Sequence, residues 1–204
     1  MALLLLYYSF LIARADWLSE ERTRQSILAA IRLFPDNSLF YRDWAEIEPA
    51  DSLMALRQAA VVNPLNPNIR IELGMSAEKA GNLGEAEASL IEAVALERTG
   101  APRGILAEYY FRRHEVEKFW PAARDGLDHS YYDMTTLFED CWNLSSDSNL
   151  ILERAIPNRA TVLIAYLDFL MLRNRLDAAK PVSDRPCRVR LADLKKRASH
   201  SWQR

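Results

Sequence analysis

Three histidines and a few paired carboxylates are the residues of this chain whose types could carry out chemistry. His114, His129 and His200 lie far apart and lack the short spacings that metal ligands usually have. Asp128-His129-Ser130 contains the residue types of a hydrolase triad, but adjacent residues on one backbone cannot form a chain of nucleophile, base and orienting group. The sequence therefore predicts that His129 lies in a surface turn.

Two other candidates for chemistry are the Glu139-Asp140 pair and the two cysteines. Neighbouring residues on a helix point in different directions, so the two carboxylates are predicted to be solvated rather than to share a site. Cys141 and Cys187 form no CxxC motif, and Cys141 is predicted to be a small buried side chain in an apolar stretch. No phosphate-binding, hydrolase or metalloprotease motif occurs. We therefore predict a protein that is not an enzyme and that binds no cofactor and no metal.

The composition indicates which elements must position these residues. The chain has 204 residues, of which 50% are hydrophobic, with 6 Gly and 9 scattered Pro. Leu, Ala, Glu and Arg recur throughout, and these residues favour helices. The composition thus predicts an all-α protein with enough apolar side chains for a sizeable core.

Charge is distributed unevenly along the chain. The formal net charge is −2, but residues 171–204 contain ten Lys/Arg and three Asp/Glu. We predict that residues 183–204 form a basic, poorly ordered tail, with contact to anionic lipid or nucleic acid as the alternative. Nucleic acid is the less favoured partner, because the aromatic residues are not interleaved with basic ones as they are in base-stacking surfaces.

The N-terminal segment is an apolar run from residue 2 to residue 12, and Arg14 follows it. The run is shorter than the about 20 residues that a membrane span requires, and it matches the core of a signal peptide in length. Three interpretations stay open: a signal peptide, a membrane anchor that begins before this chain, and a first helix packed on the domain. We treat residues 1–15 as a separate segment, with membrane anchoring through residues 2–12 as the working hypothesis.

Apolar residues recur at helical spacing after residue 18 and predict short helices separated by turns. Ser19 and Asp51 are predicted to cap the helices that follow them. The longest polar run, residues 145–149, is the best candidate for a joint. Near the C-terminus we expect the chain to stop inside a repeat and to leave the apolar face at residues 167–172 poorly covered. The clearest predicted helices cover residues 83–96, 101–113, 116–127, 131–143 and 160–173.

A repeated pattern is clearest from residue 66 to residue 98. Gly74 on the first predicted helix and Ala86 on the second have little bulk, so the two helices can pack at a short distance. Leu73 and Leu90 would fill the seam between them. This unit therefore predicts a tight antiparallel helical hairpin.

The same frame recurs in the segment that follows this unit, where Leu106 takes the place of Leu73. Phe119 takes the place of Ala86, and Ala123 takes the place of Leu90, so large and small side chains are exchanged and the volume of the seam is kept. The spacing between the first and second helices is also identical in three units: Leu73 to Ala86, Leu106 to Phe119, and Tyr166 to Ala179.

These features resemble the tetratricopeptide repeat, whose signature combines an aromatic residue, a Leu-Gly pair and a small residue in the second helix. The resemblance implies a right-handed α-solenoid of antiparallel helix pairs, which we place at residues 16–182. Arg70 stands where the family has its aromatic residue, and the closing proline is absent, so the repeats are degenerate. With the N-terminal apolar run, the arrangement is also similar to that of membrane-anchored bacterial repeat proteins of the cell envelope.

In this family the first helix of each pair lines a concave groove that holds a peptide. The positions that match this groove are Asn68, Met75, Glu78, Lys79, Glu108, Phe111 and Arg112. Met75 and Phe111 would be apolar anchors, and the charged residues would contact charges of a protein partner. The resemblance implies a non-catalytic scaffold of the bacterial cell envelope, associated with the membrane on its extracytoplasmic side. Alternatives are an accessory protein that binds a glycan during exopolysaccharide or lipid-linked glycan assembly, and a cytoplasmic regulator that acts through the basic tail.

Overall fold

A computed structural model describes residues 1–130 and 133–183 of the chain. Across these residues the only regular elements are α-helices, with no β-strand, and this confirms the predicted all-α class. The helices are α1 (Ala2–Glu20), α2 (Arg24–Leu33), α3 (Ser38–Ile47), α4 (Ser52–Val62), α5 (Pro67–Lys79), α6 (Leu83–Leu96), α7 (Gly100–Arg112), α8 (Val116–His129), α9 (Thr135–Leu144), α10 (Ser148–Arg154), α11 (Ala160–Leu172) and α12 (Leu176–Ser183). Of the predicted basic tail, all residues after Ser183 lie outside the described part, as do Cys187, His200 and the Tyr131-Tyr132 pair.

The described residues form two compact units, which divide between Glu97 and Arg98. In the first unit α1 packs on α2, α3 on α4 and α5 on α6, and the successive hairpins contact one another through α2 with α3 and α4 with α5. In the second unit α7 packs on α8 and α11 on α12, while α9 contacts α7 and α11, and α10 contacts α8 and α12. In the first unit, helices that are neighbours in sequence therefore pack as neighbours in space.

Left-handed turn residues set the geometry of the hairpins. Four residues with positive φ lie in the turns between paired helices: Arg22 (φ 48), Gly81 (φ 79), His114 (φ 56) and Asn174 (φ 55). In three of these turns the next N–H closes a Schellman motif, with Asn82 donating to Ala77, Glu115 to Tyr110 and Arg175 to Leu170 over 2.8–3.0 Å. Leu73, Leu106 and Tyr166 each lie at the same distance along the chain before the left-handed residue, so the recurrent spacing in the sequence reflects one hairpin geometry.

Gly74 allows the close approach of α5 and α6 that the sequence predicted. A Cβ atom at Gly74 would lie 2.8 Å from Cγ of Leu90 and 3.2 Å from the carbonyl oxygen of Ala86. All three residues are buried. Leu90 occupies the space that a side chain at position 74 would need.

The helix caps differ in part from the predicted ones. Ser19 lies inside α1, whereas Thr23 is the N-cap of α2 and forms a capping box with Ser26. Asp51 does stand at the N-cap of α4, but its side chain makes no capping bond and contacts Arg24 at 3.4 Å. The Ser19 prediction was wrong because the apolar run and the following residues form one continuous helix, which ends at Glu20.

The N-terminal helix has two different halves. Its C-terminal half packs on the first unit: Ala15 joins Ala30 and Phe40 in a small apolar cluster, and the predicted boundary between residues 15 and 16 lies inside this helix. The ring of Tyr8 contacts the ring of Phe34 edge-on, with centroids 5.6 Å apart. Residues before Tyr8 leave large apolar side chains exposed. Among the described helices, none combines the length and the apolar character needed to cross a bilayer.

The polar run at residues 145–149 lies within the second unit rather than between the units. Asp147 in this run caps α10, because its carboxylate accepts hydrogen bonds from the N–H groups of Asn149 and Leu150. On α11, Leu170 is fully buried, whereas Met171 and Leu172 are exposed. The apolar face at residues 167–172 is thus covered in part and open at the end of the helix.

Candidate binding groove between α3 and α5

A cavity with a volume of about 710 Å³ lies in the first unit among α3, α4 and α5. Cavities that bind ligands typically measure about 300–1,000 Å³. The lining combines apolar side chains from all three helices with charged side chains from α3 and α5. We call this cavity the α3–α5 groove.

The groove is formed by one stripe of side chains on each of two helices. On α3 the stripe contains Leu39, Asp43 and Glu46, and on α5 it contains Glu72, Met75 and Lys79. Steps of three and four positions place the members of each stripe on one helix face. Ser52, Leu53 and Leu56 of α4 also line the groove.

Only one wall of this groove contains residues that the sequence predicted. Of the four predicted residues on α5, Met75 and Lys79 line the groove, whereas Asn68 and Glu78 do not. The residues on α3 were missed, although the segment from Tyr41 to Ala45 reads as a first helix of a pair. The same spacing rule applied there from Leu39 would have found the second wall.

Arg42 and Glu72 form the strongest polar contact of the groove. Nε of Arg42 donates to Oε2 of Glu72 at 2.8 Å, and a second hydrogen bond joins the other guanidinium nitrogen to Oε1. This two-point pairing fits the planar guanidinium to the planar carboxylate. The hydrogen bond to Glu72 is the main cause that raises the pKa of Arg42, and the negative charges of Asp43 and Glu46 act in the same direction.

The remaining charged side chains of the groove are held less firmly. Asp43 accepts a hydrogen bond of 2.6 Å from the hydroxyl of Ser19, a neutral partner. Glu46 pairs with Arg22 at 2.7 Å, but the two side chains are 67% and 56% exposed, so this ion pair contributes little to stability. The side chain of Lys79 has no hydrogen bond or ion pair with any described residue. The groove therefore offers charged groups that a bound partner can engage.

The three predicted residues in the second unit lie on α7. Oε2 of Glu108 and a guanidinium nitrogen of Arg112 are 3.8 Å apart, which makes them a loose pair along the helix. Phe111 packs against Phe119 of α8 with ring centroids 5.9 Å apart and is half-buried. Its side chain thus takes part in packing within the hairpin.

Asp140 of α9 is buried, so the prediction of a solvated carboxylate was wrong for this residue. Burial raises the pKa of the Asp140 carboxyl to about 6, the negative charge of Glu108 adds to this, and Arg112 acts in the opposite direction. Neighbouring Glu139 is only half-buried and pairs with Arg173, as expected for residues that point in different directions. The burial of Asp140 could not be predicted from the sequence, because it results from the packing of α9 against α7. These two helices lie far apart along the chain.

We expect Asp140→Asn to raise the free energy of unfolding at pH 8 by about 1–2 kcal/mol, after allowance for solvent screening. The folded state binds the proton more tightly, since the pKa is raised from 3.8 to about 6. This contribution to stability is complete below the unfolded pKa and is lost as the pH rises through about 6. The gain in the variant should shrink toward zero as the pH falls to about 4.

Urea denaturation of both proteins across this pH range measures the difference. Asp128→Asn, which removes an exposed carboxylate on α8, is the control and should give no comparable gain. A gain from Asp140→Asn that is equal at every pH would contradict the assignment, because a raised pKa must produce a pH dependence.

His129 and Cys141 are two other candidates for chemistry among the described residues. The prediction that His129 lies in a surface turn was wrong, because α8 continues to His129 as its last residue. Nδ1 of His129 lies 2.9 Å from the carbonyl oxygen of Asp125 and 3.1 Å from Oδ1 of the same residue. Cys141 is fully buried, as predicted, and burial raises the pKa of its thiol. Within residues 1–130 and 133–183, no group of three His, Cys, Asp or Glu side chains lies close enough together to hold a metal ion.

No protein-family model matches the chain, and no curated protein matches it at a significant level. The resemblance to tetratricopeptide repeats therefore stays a prediction that rests on the spacing of the residues and on the geometry of the helical hairpins.

Proposed function

We propose that this protein is a binding module that holds a segment of a protein partner in the α3–α5 groove. Paired helices that pack in sequence order support the further proposal of a right-handed solenoid similar to tetratricopeptide repeats. In such folds the stacked first helices of the pairs form an extended concave surface. A binding role requires no catalytic group. The lining of the groove provides the apolar surface and the charges that such a role needs.

The observation that carries this proposal is the exposed apolar surface inside a cavity. Leu39 is 54% exposed and Met75 is 42% exposed, and both face the same groove from opposite walls. Apolar side chains in a concave site supply most of the free energy of binding when a partner covers them. The charged side chains around them then select the partner and its orientation.

We expect the double variant Leu39→Ser/Met75→Ser to lose most of its capacity to retain a partner without loss of helical content. Purified variants can be used as bait for extracts of the source organism, with co-purified proteins quantified by mass spectrometry. The matched control is Val61→Ser/Leu65→Ser, which removes two side chains that are 74% and 75% exposed outside the groove. If both double variants retain the same proteins in equal amounts, the groove is not the binding surface.

We also propose that residues 2–12 attach the protein to a membrane. Leu3, Leu4, Leu5 and Leu6 are each at least 66% exposed. Successive residues on a helix are about 100° apart, so four consecutive ones cover all sides, whereas a protein groove covers one side. As a helix, this run measures about 16 Å, which matches the hydrocarbon of one bilayer leaflet.

Flotation of the protein with phosphatidylcholine vesicles tests the attachment. We expect the full chain to float with the vesicles and the variant Leu4→Gln/Leu5→Gln to stay mostly at the bottom of the gradient, because each polar side chain makes insertion less favourable. The control Met171→Gln/Leu172→Gln changes two exposed apolar residues at the end of α11. Equal flotation of all three proteins, or of none, would contradict attachment through this segment.

A further inference from the structure

We infer that the occupant of the α3–α5 groove is a basic peptide segment with apolar side chains between its cations. This inference rests on the proposed function and names the chemistry of the partner. It follows from the balance of charges in the first unit and from the way the charges of the groove are paired.

The first unit as a whole is acidic. Residues 1–97 contain eight Lys/Arg and fourteen Asp/Glu. Such an excess attracts cationic segments and repels anionic ones over distances of about 10 Å at moderate ionic strength. Long-range electrostatics thus favours a basic partner before any contact forms.

Within the groove, two of the three carboxylates are available to a ligand. Glu72 is occupied by Arg42 through two hydrogen bonds. Asp43 has only a hydroxyl as its hydrogen-bond partner, and Glu46 shares an exposed ion pair with Arg22. A cationic group of the partner can therefore approach either carboxylate without breaking a buried ion pair.

The apolar lining determines what must lie between the cations of the partner. Asp43 and Glu46 are one helical turn apart, which separates their side chains by about 5–6 Å. Leu39 lies one turn before Asp43, and Leu53 and Met75 line the groove from the other helices. Two Lys or Arg residues of a segment can reach these carboxylates while its apolar side chains cover the leucines and the methionine.

Lys79 provides a second test of the inference, in which the expected change in affinity has the opposite sign. It is the one cation among the charged lining residues that is not engaged by a described side chain, and it repels a basic ligand. Removing its charge should therefore strengthen binding. A gain in affinity cannot result from a protein that has failed to fold.

Three fluorescein-labelled peptides of equal length serve as probes, each with the same Leu and Ala content and with either Lys, Glu or Gln at the polar positions. Fluorescence anisotropy should show that the Lys peptide binds the full-length protein at least about tenfold more tightly than the Glu peptide, with the Gln peptide between them. For the Lys peptide, Kd should rise about tenfold in Asp43→Asn/Glu46→Gln and fall about threefold in Lys79→Gln.

Matched controls separate local charge from net charge. Glu92→Gln/Glu97→Gln at the C-terminal end of α6 also removes two carboxylates, and Arg32→Gln on α2 also removes one cation, but neither helix contributes a residue to the lining of the groove. Both controls should change Kd by less than about twofold, since charges outside the groove are screened by salt.

Each of three results would overturn the inference: tighter binding of the Glu peptide, equal effects of the groove variants and their controls, or no binding of the Lys peptide. The proposed function is tested separately by the loss of partner proteins from Leu39→Ser/Met75→Ser. If that loss occurs while the peptides show no preference for Lys, the groove binds a partner of different chemistry.

Discussion

Replacing Phe119 with alanine is expected to lower the free energy of unfolding by about 3–5 kcal/mol. Phe119 is fully buried in α8, and its ring contacts the rings of Phe111 and Trp120 at centroid distances of 5.9 and 5.3 Å. Alanine would leave a cavity that these rigid neighbours cannot close. Urea or thermal denaturation measures the loss.

The exchange of large and small residues between the two hairpins makes a sharper test possible. Gly74 and Leu90 of the α5–α6 hairpin correspond to Ala107 and Ala123 of the α7–α8 hairpin, which follows it in the chain, and all four are buried. A Cβ atom at Gly74 would lie 2.8 Å from Cγ of Leu90, so a leucine at position 90 requires a glycine at position 74. By the same geometry, Ala107 requires a small residue at Ala123.

Two further variants follow from this correspondence. Ala123→Leu added to Phe119→Ala should recover only part of the lost stability, because the Cβ of Ala107 stands in the way of the new leucine. Adding Ala107→Gly as well should recover more, although glycine within a helix costs about 1 kcal/mol. If the triple variant is less stable than Phe119→Ala alone, the corresponding positions of the two hairpins do not have equivalent packing.

Gly100→Ala is expected to lower the free energy of unfolding by about 2–3 kcal/mol. Gly100 is the first residue of α7, and a Cβ atom there would lie 2.7 Å from the backbone nitrogen of Ser130 and 2.8 Å from the carbonyl oxygen of Gly126. Backbone atoms at the end of α8 cannot move aside as a flexible side chain can. The two helices would have to separate at this end of the hairpin.

Gly104→Ala in the same helix is the matched control. A Cβ atom at Gly104 would have Leu137 as its nearest neighbour at 3.8 Å, an ordinary van der Waals contact. Because alanine favours helix over glycine, this variant should be more stable than the parent by about 0.5–1 kcal/mol. Equal effects of the two substitutions would show that helix propensity, and not the contact with α8, controls both positions.

The sequence predicted the helices well where local signals are strong. The predicted helix at residues 83–96 matches α6 (Leu83–Leu96), since a Gly-Asn turn precedes it. The prediction at 131–143 was less accurate, because α9 begins only at Thr135, where Asp133 accepts a hydrogen bond from the N–H of Thr135. The segment of α10 was predicted only as a short stretch, because this helix is only about two turns long.

Only one of the two walls of the groove could be predicted from the sequence. Met75 and Lys79 follow from the position of α5 within its hairpin, and this position can be read from the Leu-Gly pair. Which charges remain available depends on pairs such as Arg42 with Glu72, which lie on different helices and far apart in sequence. Periodicity within one helix contains no information about the side chain that a neighbouring helix presents.

By itself, the sequence determined the all-α class, the short paired helices and the small residues at which the helices approach closely. These properties depend on backbone propensity, turn residues and side-chain volume, all of which act within one hairpin. Only the tertiary structure decided that Asp140 is buried and that α3 supplies the acidic wall of the groove. Burial and charge pairing arise where helices distant in sequence pack together, so the chemistry of the groove could be read only after its two walls were in place.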